Sequence, residues 1–271
     1  MKKLLLTPLF AVLILSGCVF CTQGSGNIIS ETREVDAFHS VDLSGQGNLY
    51  ITQGSEHELR IETDDNILKE LETEVRNGTL VIKPKGGINC LDPTDSIDIY
   101  VTMEEIRDLS VSGSGEIIGK TPIETDHLDV GISGSGDLNL DVEAETTSIH
   151  ISGSGELDLG VGVDELSIDI SGSGKANLYG EATQHNLRIS GSGELNAFDL
   201  ETEDSNINIS GSGDANVWVT KNLEINVSGS GDIRYKGNPE TVKQNISGSG
   251  SVEKVAAQED IEAGSAEVDP I

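Results

Sequence analysis

From Leu109 to Val252 the chain alternates apolar and polar residues with a period of two, and the tetrapeptide S-G-S-G breaks the alternation at regular places. It begins at Ser112, Ser133, Ser152, Ser171, Ser190, Ser210, Ser228 and Ser247, at intervals of 21, 19, 19, 19, 20, 18 and 19 residues. Just before it stands a β-branched residue each time: Val111, Ile132, Ile151, Ile170, Ile189, Ile209, Val227 and Ile246. Two positions earlier are Leu109, Val130, Ile149, Ile168, Leu187, Ile207 and Ile225, with Gln244 ending the column. Beyond the tetrapeptide the alternation resumes at Ile117, Leu138, Leu157, Ala176, Leu195, Ala215, Ile233 and Val252. Each unit therefore offers two short strands, each with one buried face.

Composition alone would make S-G-S-G a flexible spacer. A spacer has no reason to recur at a near-constant interval, whereas stacked units require it. Neither strand can bury its apolar face alone, so the units must stack. The prediction is an all-β fold, a single-stranded right-handed parallel β-helix with coils of about 19 residues, the hand following from the usual sense of parallel crossovers. The interior is narrow and filled by Ile, Leu, Val and Ala, in keeping with an aromatic content of 3%. Carried through the tetrapeptide, the alternation points both glycines inward and both serines outward, making it a tight corner.

Upstream, 41-VDLSGQGNLYITQG-54 is a divergent copy whose corner starts at Ser44. Between it and the array lie 57-HELRIET-63, a helix-prone piece at 66-NILKEL-71, and 75-VRNGTLVI-82, whose Asn77-Gly78 reads as a hairpin turn. The β-helix is expected over residues 34–255, with less regular coils at 34–106, continuous with the regular repeats at 107–255. Residues 256–271 are acidic and poor in apolar residues, an expected frayed tail.

At the N-terminus, Lys2 and Lys3 precede an apolar run from Leu4 to Leu15 and then L-S-G-C. Residues 1–17 fit a secretory signal peptide, and the ending resembles the bacterial lipobox, which makes Cys18 the residue to be lipidated. Residues 18–33, which include the Gly/Ser/Gln segment 22-TQGSGN-27, are expected to be a flexible tether. Cys21 and Cys90 could pair in an oxidising compartment, and a second acylation or a free thiol at Cys21 is also open. The formal net charge of −30 over 271 residues excludes nucleic acid as a partner, because such a surface repels phosphate and no basic patch offsets it.

The stretches 38-FHSVDLSGQGNLYITQG-54, 62-ETDDNILKEL-71 and 75-VRNGTLVIK-83, together with the S-G-S-G array, resemble the head GIN domain family, whose other label is auto-transporter adhesin. The resemblance covers nearly all of the chain beyond Cys18. It implies a right-handed β-helix on a bacterial envelope or surface lipoprotein, adhesion being carried mainly by the family label. It supplies no catalytic residues. The chain departs from a true autotransporter, since its end is too short and polar to form a membrane barrel.

Three candidate sites remain. Tyr179, Phe198 and Trp218 occupy the same outward position in three consecutive units, a strip suited to contact with a glycan or protein, or to stabilising the stack. Glu116, Asp137, Glu156, Lys175, Glu194, Asp214 and Asp232 form an outward column at another position. A hard cation would relieve its repulsion, but Lys175 in mid-column and the missing nonapeptide calcium signature favour a solvated face. His39, His57, His127, His150 and His185 fall at different unit positions, and no set of residues has metal-ligand spacing. The expectation is a non-enzymatic scaffold without a cofactor, since turns this short specify no cleft. A carbohydrate-active β-helix enzyme and a calcium-stabilised assembly protein are the alternatives. Strands exposed on the terminal coils would also permit a homo-oligomer.

Overall fold

The computed structural model describes residues 21–87 and 90–255. The alternation becomes a β-solenoid of about 8 turns with coils of about 19 residues. The strands Ile123–Gly134, Asp137–Gly153, Glu156–Gly172, Lys175–Gly191, Glu194–Gly211 and Asp214–Gly229 each lie parallel on their predecessor. Their register aligns every corner: Ser112 pairs with Ser133, then Ser152, Ser171, Ser190, Ser210, Ser228 and Ser247 in turn. The divergent copy joins the same wall, with Ser44 under Ser112. The predicted apolar columns are buried from Leu109 to Ile233.

The corner differs from simple alternation. In Ser190-Gly191-Ser192-Gly193 only Gly193 is buried, while Gly191 lies towards the outer surface. The φ of 128° at Gly191 turns the chain outward there without changing the phase of the alternation, since Ile189, Gly193 and Leu195 are all buried. A Cβ on Gly191 would also stand 2.5 Å from the carbonyl oxygen of Gly172 in the coil below. At Gly193 the obstacle is a side chain: a Cβ there would meet Ile170 Cγ2 at 2.5 Å. Glycine is thus required twice, once for conformation and once for space. Between them Ser192 N–H donates to Gly172 O at 2.8 Å, a bond repeated from Ser154, Ser173, Ser212, Ser230 and Ser249.

At the N-terminal end the stacking order leaves the chain order. Strands Ser40–Gly45 and Asn48–Gln53 form a coil directly beneath Asp108–Gly113 and Glu116–Gly119. The residues between them pass to the other side of that coil, where Thr79–Pro84 and Asp98–Met103 pair with it in parallel. Leu71–Arg76 and Glu58–Asp64 then add antiparallel. The expected run of irregular coils over 34–106 is therefore one coil plus an antiparallel cap. The Asn77-Gly78 hairpin is present, both residues having positive φ. The helix is shorter than its sequence suggests, only Asp65–Leu68, and it plugs the end of the core with Ile67 and Leu68.

The flexible tether expected at 18–33 is corrected for residues 21–33, which are part of the body. Cys21 is disulfide-bonded to Cys90, Thr22–Gln23 pairs with Leu91–Asp92, and Ile28–Thr32 adds antiparallel to Glu58–Asp64. Gly, Ser and Gln suit a spacer, but here they follow a cross-link and fit tight approaches. Gly24 packs against the Asp64 carboxylate, with no room for a Cβ. Asp64 is fully buried and accepts from Gly26 N at 2.7 Å and from Thr94 N and Oγ1, both at 2.8 Å. Burial alone would raise its pKa, yet the bonds from Thr94 and Gly26 hold the carboxyl below its ordinary value. Closing a loop across the 69-residue separation of the disulfide is worth about 4 kcal/mol by chain entropy. The signal peptide at 1–17, Cys18 and the tail at 256–271 lie outside the described residues.

The opposite end is open among the described residues. Thr241–Gly248 is exposed along its whole length, with Val242 40% and Ile246 37% accessible.

These corners give a direct test. Gly191→Ala and Gly193→Ala should each destabilise the domain by about 2–4 kcal/mol, from a disfavoured φ and an overpacked contact respectively. Ser192→Ala should stay within about 0.5 kcal/mol, because its serine is exposed and bonds through the backbone. Urea melts followed by circular dichroism measure all three, and equal losses would refute the division of roles.

Candidate contact surfaces

The three aromatics predicted to stack do not form a column. Tyr179 pairs with Gly160 below and Asp199 above, and Trp218 pairs with Glu201. Phe198 is unpaired in both ladders, because register shifts fall around it where the unit is 20 residues long. Tyr179, 47% exposed, lies across Gly160 and donates its hydroxyl to Asp141 Oδ1 at 2.7 Å. That bond is the main reason its phenol pKa is raised, with burial second. Half-buried Trp218 carries the Lys236 ammonium 4.3 Å from its ring centre. Of the strip, Tyr179 alone is widely open to a partner.

The stacked aromatics are elsewhere. Tyr50 and Tyr100 lie with ring centres 5.0 Å apart, and Lys120 and Arg60 cover the outer faces at 4.3 and 3.8 Å. This four-layer sandwich follows from the pairing of 48-NLYITQ-53 with 98-DIYVTM-103, Asn48 on Asp98 through Gln53 on Met103. The two hexapeptides share one pattern, and that likeness was the available signal.

The acidic column at the fourth unit position is present in register, but its carboxylates serve the corners. Asp137 Oδ1 accepts from Glu156 N at 3.1 Å, Asp214 Oδ1 from Asp232 N at 2.8 Å, and Asp232 Oδ1 from Ser251 N at 2.9 Å. Lys175 lies 3.5 Å from Glu156. Among the described residues no group of three or more His, Cys, Asp or Glu side chains is disposed to hold a metal ion.

A larger acidic feature lies at the second corner of the coil, where sequence reasoning expected no cleft. A groove of about 850 Å³ runs across five coils. Its floor is Thr125, Ala144, Val163, Ala182 and Thr202, stacked in register. Glu124, Glu143, Glu181 and Glu201 form one rail, and Asp126, Glu145, Asp164 and Glu203 line the other side. No histidine, lysine, arginine or cysteine lines it. The recurring triplets 124-ETD-126, 143-EAE-145, 181-EAT-183 and 201-ETE-203 carry this feature in the sequence. Unit charges about 4.8 Å apart repel by about 1 kcal/mol in water. The same repulsion acts at Asp108, whose carboxyl pKa is raised by burial first and then by Asp129 and Asp42.

One histidine belongs to the core. His185 is 1% exposed in the inward column Leu128, Thr147, Leu166, His185, Ser205, Leu223. Nδ1 sits 3.0 Å from Ser205 Oγ, and Nε2 has no partner. Burial lowers its pKa to about 4 and keeps the ring neutral.

The model of the family described as "Putative auto-transporter adhesin, head GIN domain" matches residues 37–160 and 142–239. The chain belongs to that family. A Parabacteroides distasonis structure described as a "putative lipid binding protein" is 31% identical, covers 87% of this chain and 100% of its own, and superposes with a TM-score of 0.82. A "putative adhesin" from Parabacteroides merdae is 27% identical over 86% of this chain and 98% of its own, TM-score 0.81. A second Parabacteroides distasonis structure, also described as a "putative adhesin", is 26% identical over 87% and 100%, TM-score 0.82. No curated protein matches the chain.

Two outcomes follow from these surfaces. Because His185 titrates lower in the fold than in the unfolded chain, its contribution is intact above about pH 6.5 and is lost as pH falls towards 4. The loss reaches about 3 kcal/mol there. His185→Leu should remove that component, so the difference between the two stability curves grows from pH 7 to pH 4; a constant difference would contradict it. Raising salt from about 10 mM to about 1 M, where the Debye length falls from about 30 to 3 Å, should raise the melting temperature. The rise should shrink in a Glu143→Gln, Glu181→Gln variant, and an unchanged salt response would show that the groove repulsion is negligible.

Proposed function

We propose that the protein is a non-enzymatic lipoprotein of the cell envelope, anchored at Cys18 after removal of residues 1–17, whose solenoid makes adhesin-like contact with a glycan or protein partner. The outer membrane or cell surface is its place of work. The observation that carries the reading is the family match over a solenoid of about 8 in-register turns. A stack of in-register parallel coils holds its surface side chains at fixed spacings, so it presents a pattern without rearranging. Relatives of solved structure described as "putative adhesin" share this architecture, and their description supports the same use here. The description of one relative as lipid-binding agrees with an envelope setting.

Tyr179 is the contact residue assigned to this function from the aromatic set, being exposed on an otherwise acidic, aromatic-poor flank. Phe198 and Trp218 contribute to the bulged wall behind it.

The test is attachment of cells displaying the full chain to a panel of immobilised glycans and envelope proteins. Displaying cells should bind at least one surface several-fold better than cells lacking the protein. Tyr179→Ser should reduce that binding while leaving the melting temperature within about 2 °C, as for most surface substitutions. Equal attachment with and without the protein across the panel would overturn the reading.

A further inference from the structure

The disulfide at Cys21 changes what an anchor at Cys18 would do. From Cys21 onward the chain is fixed to the cap by several independent contacts. Cys21 is bonded to Cys90. Gln23 O accepts from Asn66 Nδ2 at 2.7 Å. Ser25 N donates to Asn66 Oδ1 at 2.9 Å, and Gly26 N to the buried Asp64 at 2.7 Å. Only Val19 and Phe20 separate Cys18 from the bridge. Three Cα steps of 3.8 Å reach at most about 11 Å, only a little more than the roughly 5–8 Å of headgroup region on each side of the hydrocarbon core. The two intervening residues, Val19 and Phe20, are both apolar, and burying them at the headgroup/acyl boundary is favoured over leaving them in water.

We infer that the N-terminal cap, at the edge marked by the Cys21–Cys90 bridge, sits against the lipid surface, and that the open coil Thr241–Gly248 is the membrane-distal end. The inference rests on the lipidation of Cys18 proposed above. Eight steps of stacking separate the Ser44 corner, beside the bridge, from the Ser247 corner, or about 38 Å at 4.8 Å per strand. The side chain of Gln46, two residues beyond Ser44, donates to Leu91 O at 2.9 Å, which fixes the bridge segment to this first coil. Exposed lysines mark both ends. Lys69 and Lys85 stand at the cap, joined by Lys85 Nζ donating to Lys69 O at 2.5 Å, while Lys243 and Lys254 stand on the last coil.

The experiment uses the full-length lipoprotein in vesicles of phosphatidylethanolamine and phosphatidylglycerol at three parts to one, with the soluble Cys18→Ala protein as reference. Mass spectrometry of the N-terminal peptide first reports whether Cys18 carries acyl chains; an unmodified Cys18 sinks the inference together with the anchoring it rests on. With lipid present, a bulky membrane-impermeant amine reagent should modify Lys69 and Lys85 several-fold more slowly in vesicles than in the reference, with Lys243 and Lys254 unchanged. A Gly/Ser insertion of eight residues between Phe20 and Cys21 should restore the cap lysines to the reference rate. Full reactivity of Lys69 and Lys85 on confirmed lipidated protein would overturn the seating alone, and so would protection of both ends equally.

Discussion

The structure depends on one contact between successive coils: the hydrogen bond from the second serine of each S-G-S-G to the first glycine carbonyl beneath it. It forms only because the first glycine adopts a positive φ that turns its carbonyl along the solenoid axis. It also demands that the next coil arrive in the same register, since a shift of one residue would send every apolar column to the surface. The second glycine then lets the isoleucine of the coil below fill the inside of the bend. One short motif thus sets the turn, the register and the packing of the narrow core.

This repetition explains why the body needs caps and why the two ends differ. At the N-terminal end the chain reverses into antiparallel strands, plugs the core with Ile67 and Leu68, and clamps the start of the chain by Asp64 and the disulfide. Such a reversal presents no further parallel edge to extend. At the C-terminal end the last coil is left exposed, with Gln244 in place of the inward aliphatic residue. A polar residue in that column ends the stack where burial no longer rewards another turn, and Lys243 places charge on the edge strand, which discourages uncontrolled pairing.

Much of this was legible in the sequence, because period-two alternation and a fixed repeat are direct images of a buried strand face and a stacked coil. The solenoid, its coil length and the corner wall follow from spacing, and the membership of the 44–47 tetrapeptide in that wall from its likeness to the repeat. What was not legible depends on contacts between segments distant in sequence. The cap folds to the far side of the first coil, and only the matched pattern of residues 48–53 and 98–103 hints at it. The Gly/Ser segment at 22–27 has the composition of a spacer, yet its neighbours Cys21 and Asp64 bind it to the body. The aromatic strip failed for a local reason: one extra residue at Phe198 displaces the ladder, so equal counting from the tetrapeptide no longer means equal height. The acidic groove was overlooked because each of the four triplets is unremarkable until the coils stack them.

The account is tested most directly by amide hydrogen exchange at the corners. If the tetrapeptides form the stacked wall, the backbone N–H groups of Ser154, Ser173, Ser192, Ser212 and Ser230 exchange as slowly as those of the adjoining buried strands, despite their exposed side chains. Exchange at the rate of an unstructured Gly/Ser segment would mean that the corners are not bonded coil to coil, and the structure described above would be wrong at its foundation.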